Sequence, residues 1–301
     1  MSLRKCVVAF FLFFAGLAGS LHAADAPYVP TAWNVIEAMF RISGVGPNDY
    51  LMDLGSGDGR IVITAAKKLG ARGFGVELDP NLVRTARREA ERQGVSDRVV
   101  FEAEDLFFID LGKATVITMY MSESVNLRLR PSLFKLKPGT RIVSHDFDMA
   151  QWLPDEKLTV AVPNKPYGAP RSEIFLWVVP ADVSGRWSWQ SALGAANLDY
   201  DAAFDQTFQT VSGSVQTAGR DAQLRDARVR GETLSFTLLT ERDGRSVRQD
   251  FSGRVTGDVI EGRVTTDGVQ GPWRATRSAR GRLNFDAGIG AEMKQYSAIA
   301  F

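Results

Sequence analysis

Residues 53–60, DLGSGDGR, close an apolar run with three glycines at alternate positions, Gly55, Gly57 and Gly59. A strand that turns sharply and opens into a helix needs backbone of this kind, because glycine accepts positive φ and lets a ligand approach the main chain. The run before it, YLMDLG (50–55), reads as a short buried strand. RIVITAAKKLG behind it reads as a helix that stops at Gly70. Six further strand-like runs follow: 71–78, 97–104, 114–121, 140–147, 157–163 and 173–180. Between the second and third lies DPNLVRTARREAERQG, with Asp79 as N-cap, Pro80 at N1 and a stripe of Val83, Ala86 and Ala90. Continuously apolar strands alternating with helices predict a doubly wound α/β sheet with helices on both faces.

The pattern changes after Pro180. GRWSWQSA, FDQTFQTVSGSV, ETLSFTLLTE, RQDFSGRV, DVIEGRV and PWRATRS alternate apolar and polar residues between turns such as DGR, TGD and TDG. Residues 182–301 are expected to form a small antiparallel β domain, a barrel or a sandwich. Trp187, Trp189, Phe204, Phe208 and Trp273 either fill its core or line a partner site, and strand spacing favours the core. The terminal Phe301 resembles the end of an outer-membrane barrel, but these strands are too polar on both faces for lipid.

The first residues differ from both regions. Arg4 and Lys5 precede an uncharged run, Cys6–Ala18, and small residues follow up to Ala24. This is the layout of a secretory signal peptide over 1–23, and the run is short for a membrane span. An uncleaved anchor and a buried helix are the alternatives. The expectation is an exported, periplasmic protein without stable membrane insertion once the signal is removed. Cys6, the only cysteine, falls in that segment. The whole chain carries 36 basic and 35 acidic residues, so no basic field points to nucleic acid. His22 and His145 are the only histidines, too few for a histidine-based metal site.

Open α/β sheets bind ligands at the carboxyl ends of their strands, where strand order reverses. A dinucleotide site would want a third glycine at position 60, which is Arg60. Asp53 ahead of the glycines would repel a pyrophosphate but suits a ligand amine. Glu77, ending the second strand in GVELDP, can accept both hydroxyls of a ribose. Asp105, in EAEDLFF after the third, can accept from an exocyclic amine while Leu78 and Leu106 flank an adenine. Amino acid, ribose and adenine together make S-adenosylmethionine.

Residues 27–180 thus resemble a class I S-adenosylmethionine-dependent methyltransferase. DLGSGDGR, with Asp53, Gly55, Ser56, Gly57, Gly59 and Arg60, matches that family's first motif. GVELDP matches its ribose motif and EDLF its adenine motif. PYVPT (27–31) together with DLGSGDGRIVI is similar to the lysine methyltransferases of a membrane-embedded ATP synthase component and their bacterial relatives. The resemblance implies a Rossmann-like, seven-stranded methyltransferase domain over 24–181 and a protein substrate. It also implies that Tyr28 to Thr31 fold over the cofactor and shape an acceptor channel. Tyr28, Tyr120, His145 and Phe147 are the channel candidates. His145 and Asp146 end the fifth strand, either as a proton-accepting or acceptor-positioning pair or as a plain hydrogen-bonded strand end. Met119-Tyr120-Met121-Ser122 lacks the prolines that many amine-modifying members carry after the fourth strand. An exported, non-catalytic nucleoside-binding or adaptor protein is the alternative function, because S-adenosylmethionine is made inside the cell.

Overall fold

The computed structural model describes residues 28–284 apart from 167, 194, 195 and 243. The segment read as a signal peptide and the terminal Phe301 lie outside the described residues. The first unit is one sheet of β1 (Tyr50–Leu54), β2 (Arg72–Glu77), β3 (Val99–Ala103), β4 (Val116–Met119), β5 (Arg141–His145), β6 (Glu156–Ala161) and β7 (Arg171–Val178). Strand order is β3-β2-β1-β4-β5-β7-β6. The first five strands run parallel, and β7 inserts antiparallel between β5 and β6. Strand order reverses between β1 and β4, which leaves a crevice at the carboxyl ends of those two strands.

Successive β1 residues point to opposite faces, and each face has its own cover. Leu51 joins a core made by α1 (Trp33–Ser43), α2 (Arg60–Leu69) and α3 (Pro80–Arg92). α2 ends at Gly70 in the left-handed region, and Asp79 caps α3 by accepting from Asn81 N. Met52 and Leu54 join the other core, built by α4 (Glu123–Leu133), Met149 and Trp152 of the segment after β5, and Phe208. Helices alone were expected on both faces. The second face has one helix, an irregular segment and a residue lent by the C-terminal domain. β6, an edge strand, alternates exposed and partly buried residues instead of being apolar throughout.

The C-terminal domain is a closed barrel of eight antiparallel strands: β8 (Gly185–Leu193), β9 (Ala196–Thr207), β10 (Thr210–Thr217), β11 (Arg220–Arg230), β12 (Thr233–Arg242), β13 (Arg245–Thr256), β14 (Val259–Thr266) and β15 (Val269–Arg280). Pairing of β15 with β8 closes it. The barrel choice over a sandwich is therefore settled. Its interior is filled by aromatics. Trp189 stacks on Tyr200 at 5.1 Å, and Phe236, Phe251 and Trp273 meet Trp189 edge-on within 6.0 Å. Tyr200 Oη donates to Gln249 Oε1 at 2.8 Å, which satisfies the buried phenol. Trp187, Trp189, Phe204 and Trp273 are core residues of the barrel, as their spacing suggested.

Phe208 is the exception. It leaves the barrel in the β9–β10 hairpin, with φ at 52°, and enters the second core of the sheet. Its ring stacks on Trp152 at 6.0 Å and meets Phe134 edge-on at 5.7 Å. Around it, Gln209 Nε2 donates to Leu153 O at 2.5 Å and Arg228 pairs with the buried carboxylate of Asp155 at 2.8 Å. Ala181 N, in the connection, donates to Gly231 O at 2.7 Å. The barrel is thus docked onto the sheet by apolar packing and satisfied polar contacts.

Candidate active site

The loop after β1 sits in the crevice. Gly55, Gly57 and Gly59 all have positive φ, at 79°, 54° and 78°. Space is equally restrictive. A Cβ on Gly57 would lie 2.3 Å from the Tyr28 ring, and one on Gly59 would lie 2.7 Å from the Phe101 ring. Gly59→Ala combines left-handed strain with overpacking against Phe101 and Ala86. It is expected to cost about 2–4 kcal/mol of stability in chemical denaturation. Gly57→Ala is expected to act locally, pushing Tyr28 off the loop and weakening cofactor binding without a comparable loss of stability.

Asp53 lies at the base of the loop, 3% exposed. Thr118 Oγ1 donates to it at 2.6 Å. Burial pushes its carboxyl up to about 7, against the lowering effect of the Thr118 bond. A buried carboxylate with a single side-chain partner is ready for a cation. Ser56 Oγ is also buried and has no hydrogen-bond partner among the described residues. Glu77 accepts from Gly57 N at 2.9 Å and from Asp79 N at 3.0 Å, which fixes it beneath the loop. A carboxylate has about four acceptor positions, so room for two ribose hydroxyls remains. Asp105 accepts from Phe107 N at 2.9 Å in a tight turn after β3. Leu106 is buried beside it, whereas Leu78 is half exposed. A buried acid, an orphaned hydroxyl, bare glycine backbone and two further acids on neighbouring strand ends fit S-adenosylmethionine.

Arg60 does a different job from the glycines around it. Its guanidinium pairs with Asp58, Nε to Oδ1 at 2.9 Å and Nη2 to Oδ2 at 2.7 Å, and donates to Thr31 O at 3.1 Å. The Tyr28 hydroxyl faces Asp58; burial first, then the Asp58 charge, raises the phenol above its usual range. Residues 28–31 are therefore strapped over the glycine loop by Asp58 and Arg60.

The strap leads to a second group. Thr31 Oγ1 lies 3.4 Å from His145 Nδ1, and Ser172 Oγ lies 2.8 Å from His145 Nε2. Tyr120 stacks on His145 at 3.8 Å, with Phe147 at 6.2 Å. Met121 reaches back to Gly55, where its sulfur lies 2.8 Å from a would-be Cβ. Burial holds His145 down to about 4, against the Asp146 charge, so its ring is neutral at neutral pH. Asp146 has φ at 64° and accepts from Glu173 N at 3.0 Å and Lys165 Nζ at 2.5 Å. Burial alone would raise it, but the Lys165 ammonium and the Glu173 N–H outweigh burial and hold it below the usual carboxylate range. Tyr120 is pushed up to about 12, by burial and then by the Asp146 charge.

The structure brings Tyr120, His145, Asp146 and Phe147 together, and links them to Tyr28 through Thr31 and Arg60. Thr118, Ser172 and Lys165 escaped the sequence reading. Thr118 and Ser172 are ordinary strand residues there, and Lys165 sits in a proline-rich connection with no motif.

Residues 53–156 match the family of the ANTKMT methyltransferase domain. A protein-lysine N-methyltransferase of Saccharolobus islandicus (strain REY15A) is 42% identical over 141 residues, which cover 46% of this chain and 88% of that protein. The adenine nucleotide translocase lysine N-methyltransferase of Mus musculus is 36% identical over 132 residues, covering 43% of this chain and 57% of the relative. Among solved structures, an RNA methyltransferase from Salinibacter ruber in complex with S-adenosyl-L-homocysteine is 46% identical, with a TM-score of 0.47 and coverage of 52% of this chain and 96% of that one. Through its first domain, the chain belongs to the S-adenosylmethionine-dependent methyltransferases, in the family of the protein-lysine N-methyltransferases.

Proposed function

We propose that the chain transfers a methyl group from S-adenosylmethionine to the side-chain amine of a protein lysine. The observation that carries the acceptor class is the ring-lined group of Tyr120, His145 and Phe147 around the Asp146 carboxylate, next to the strapped glycine loop. The names of the Saccharolobus and mouse relatives support the same class. The near balance of charge over the whole chain favours a protein over a nucleic acid.

When bound, the cofactor supplies a methyl group on a sulfonium, already activated for displacement. The chain's part is alignment and exclusion of water. In this reading Asp53 holds the cofactor's amine, Glu77 its ribose, and Asp105 with Leu78 and Leu106 its adenine. Ser56, Gly55 and Gly57 contribute close polar backbone and hydroxyl contacts. Tyr28 covers the loop. Tyr120, Phe147 and the neutral ring of His145 strip water from the acceptor, which favours the uncharged amine that attacks. His145 acts as a positioning group, because a ring held near pH 4 is a poor base at neutral pH.

We also propose, on Arg4 to Ala24, that the protein acts outside the cytoplasm on an envelope protein. Export would then require a supply of cofactor there.

Kinetics with a lysine-rich polypeptide test the site. Tyr120→Ala is expected to lower kcat at least about tenfold while leaving S-adenosylmethionine affinity within about twofold, since it removes acceptor alignment only. Equal loss of cofactor affinity would place Tyr120 in the wrong half of the site.

A further inference from the structure

Lys165 lies in the connection between β6 and β7, and its neighbours Pro163, Asn164 and Pro166 are exposed. Its own side chain turns inward and is only 12% exposed. Nζ donates to Asp146 Oδ2 at 2.5 Å and to Arg171 O at 2.9 Å. The same carboxylate faces the Tyr120 hydroxyl, within the group made by the His145 and Phe147 rings. A primary ammonium on a four-carbon stem is therefore already held by the carboxylate of the acceptor group. An acceptor lysine presents the same ammonium on the same stem.

We propose that Asp146 is the docking site for the acceptor's ammonium and that Lys165 is an internal occupant which the incoming lysine displaces. This rests on the lysine-acceptor reading above. Asp146 is built to stay when Lys165 leaves. Its Oδ1 accepts from Glu173 N at 3.0 Å, and its own N donates to Glu173 O at 2.7 Å. Glu173 itself is turned to Lys157 and Arg171, and His145 is uncharged, so neither replaces Asp146 as the partner of an ammonium. The connection is pinned lightly, by Lys165 N to Val162 O at 3.1 Å and by Val162 N to Pro170 O at 2.9 Å. Exchange trades one ion pair for another of the same chemistry, and the released Lys165 regains water. Asp146 serves arrival only. The attacking amine is neutral: once off the carboxylate, the ammonium gives its proton to solvent water, and the amine so formed enters the ring-lined space.

The test is a titration of the full chain, loaded with S-adenosylhomocysteine, with n-butylammonium chloride. The ¹⁵N resonance of Lys165 Nζ and the amides of Asp146 and Phe147 are followed. Lys165 is expected to move toward the position of a solvated lysine as the Asp146 and Phe147 amides saturate. Lys165→Met is expected to bind n-butylammonium up to about fivefold tighter, the worth of the competing ion pair, and Asp146→Asn at least about fivefold weaker. A Lys165 resonance that stays in place while the amides respond, or that stays with no response anywhere, overturns the proposal. So does a folded Lys165→Met that binds no tighter. If that variant does not fold, the wild-type titration decides alone. Displacement of Lys165 without methyl transfer to any lysine would leave the docking site standing and overturn the proposed function, so the two failures are distinct.

Discussion

Asp53→Asn is expected to lose cofactor affinity and to gain stability. The asparagine keeps an oxygen for Thr118 Oγ1 but cannot neutralise a ligand amine. Affinity for S-adenosylmethionine in calorimetric titration should fall at least about tenfold, or about 1.4 kcal/mol. Ligand-free stability moves the other way. The carboxyl titrates near 3.8 when unfolded and near 7 when folded, so the folded chain holds a proton between those values that the unfolded chain has lost. Stability from this group is complete below pH 3.8 and declines as pH rises through about 7. At pH 8 the buried charge costs the ligand-free fold up to about 4 kcal/mol, which the asparagine does not incur. Thermal melts at pH 5 and pH 8 should show the variant's advantage at both values, about 1–2 kcal/mol at pH 5 and about 4 kcal/mol at pH 8. The same titration makes wild-type affinity weaken below about pH 7, as Asp53 takes up its proton. Unchanged affinity in the variant would contradict the role given to Asp53.

Phe208→Ala should be the most damaging single change outside the site. The ring is 3% exposed and packed between Trp152 and Phe134, on the sheet face that α4 covers only in part. Its removal is expected to cost about 3–5 kcal/mol in chemical denaturation. It should also loosen the barrel from the sheet, so that the two domains no longer unfold in one transition. Deletion of 182–301 would go further, exposing Phe134 and Trp152 together, and should leave an insoluble first domain. A soluble, fully active first domain would show instead that the barrel is an accessory module.

The sheet strands were legible because a buried parallel strand is a continuous apolar run between turn signals. Asp53, Glu77 and Asp105 were legible because each follows or ends such a run. α4 was not legible: Pro131 lies inside it, and buried Asn126 and Arg130 interrupt the apolar stripe that would mark a helix. α1 did offer a signal, with Val35, Ile36, Met39 and Phe40 at helical spacing ahead of Gly44, and it went unread. In the barrel, FDQTFQTVSGSV reads as one strand but folds as the end of β9 and the start of β10. Phe208 and Gln209 make that turn, and neither is a turn residue by type. β11 was hidden by its irregular register between Arg225 and Arg228, which breaks the two-residue period around Asp226 at φ 51°. Lys165 had no signal at all, because its meaning depends on Asp146, nineteen residues away in the chain and adjacent only in the fold.

Methyl transfer to a lysine amine leaves a chemically stable product. The most direct test incubates the full chain with methyl-labelled S-adenosylmethionine and a mixture of envelope proteins and RNA, then hydrolyses each fraction and identifies the labelled product. Nε-methylated lysine is expected in the protein fraction, and much less of it with Asp53→Ala at limiting cofactor. Label in RNA, or on a protein residue other than lysine, would contradict methyl transfer to lysine.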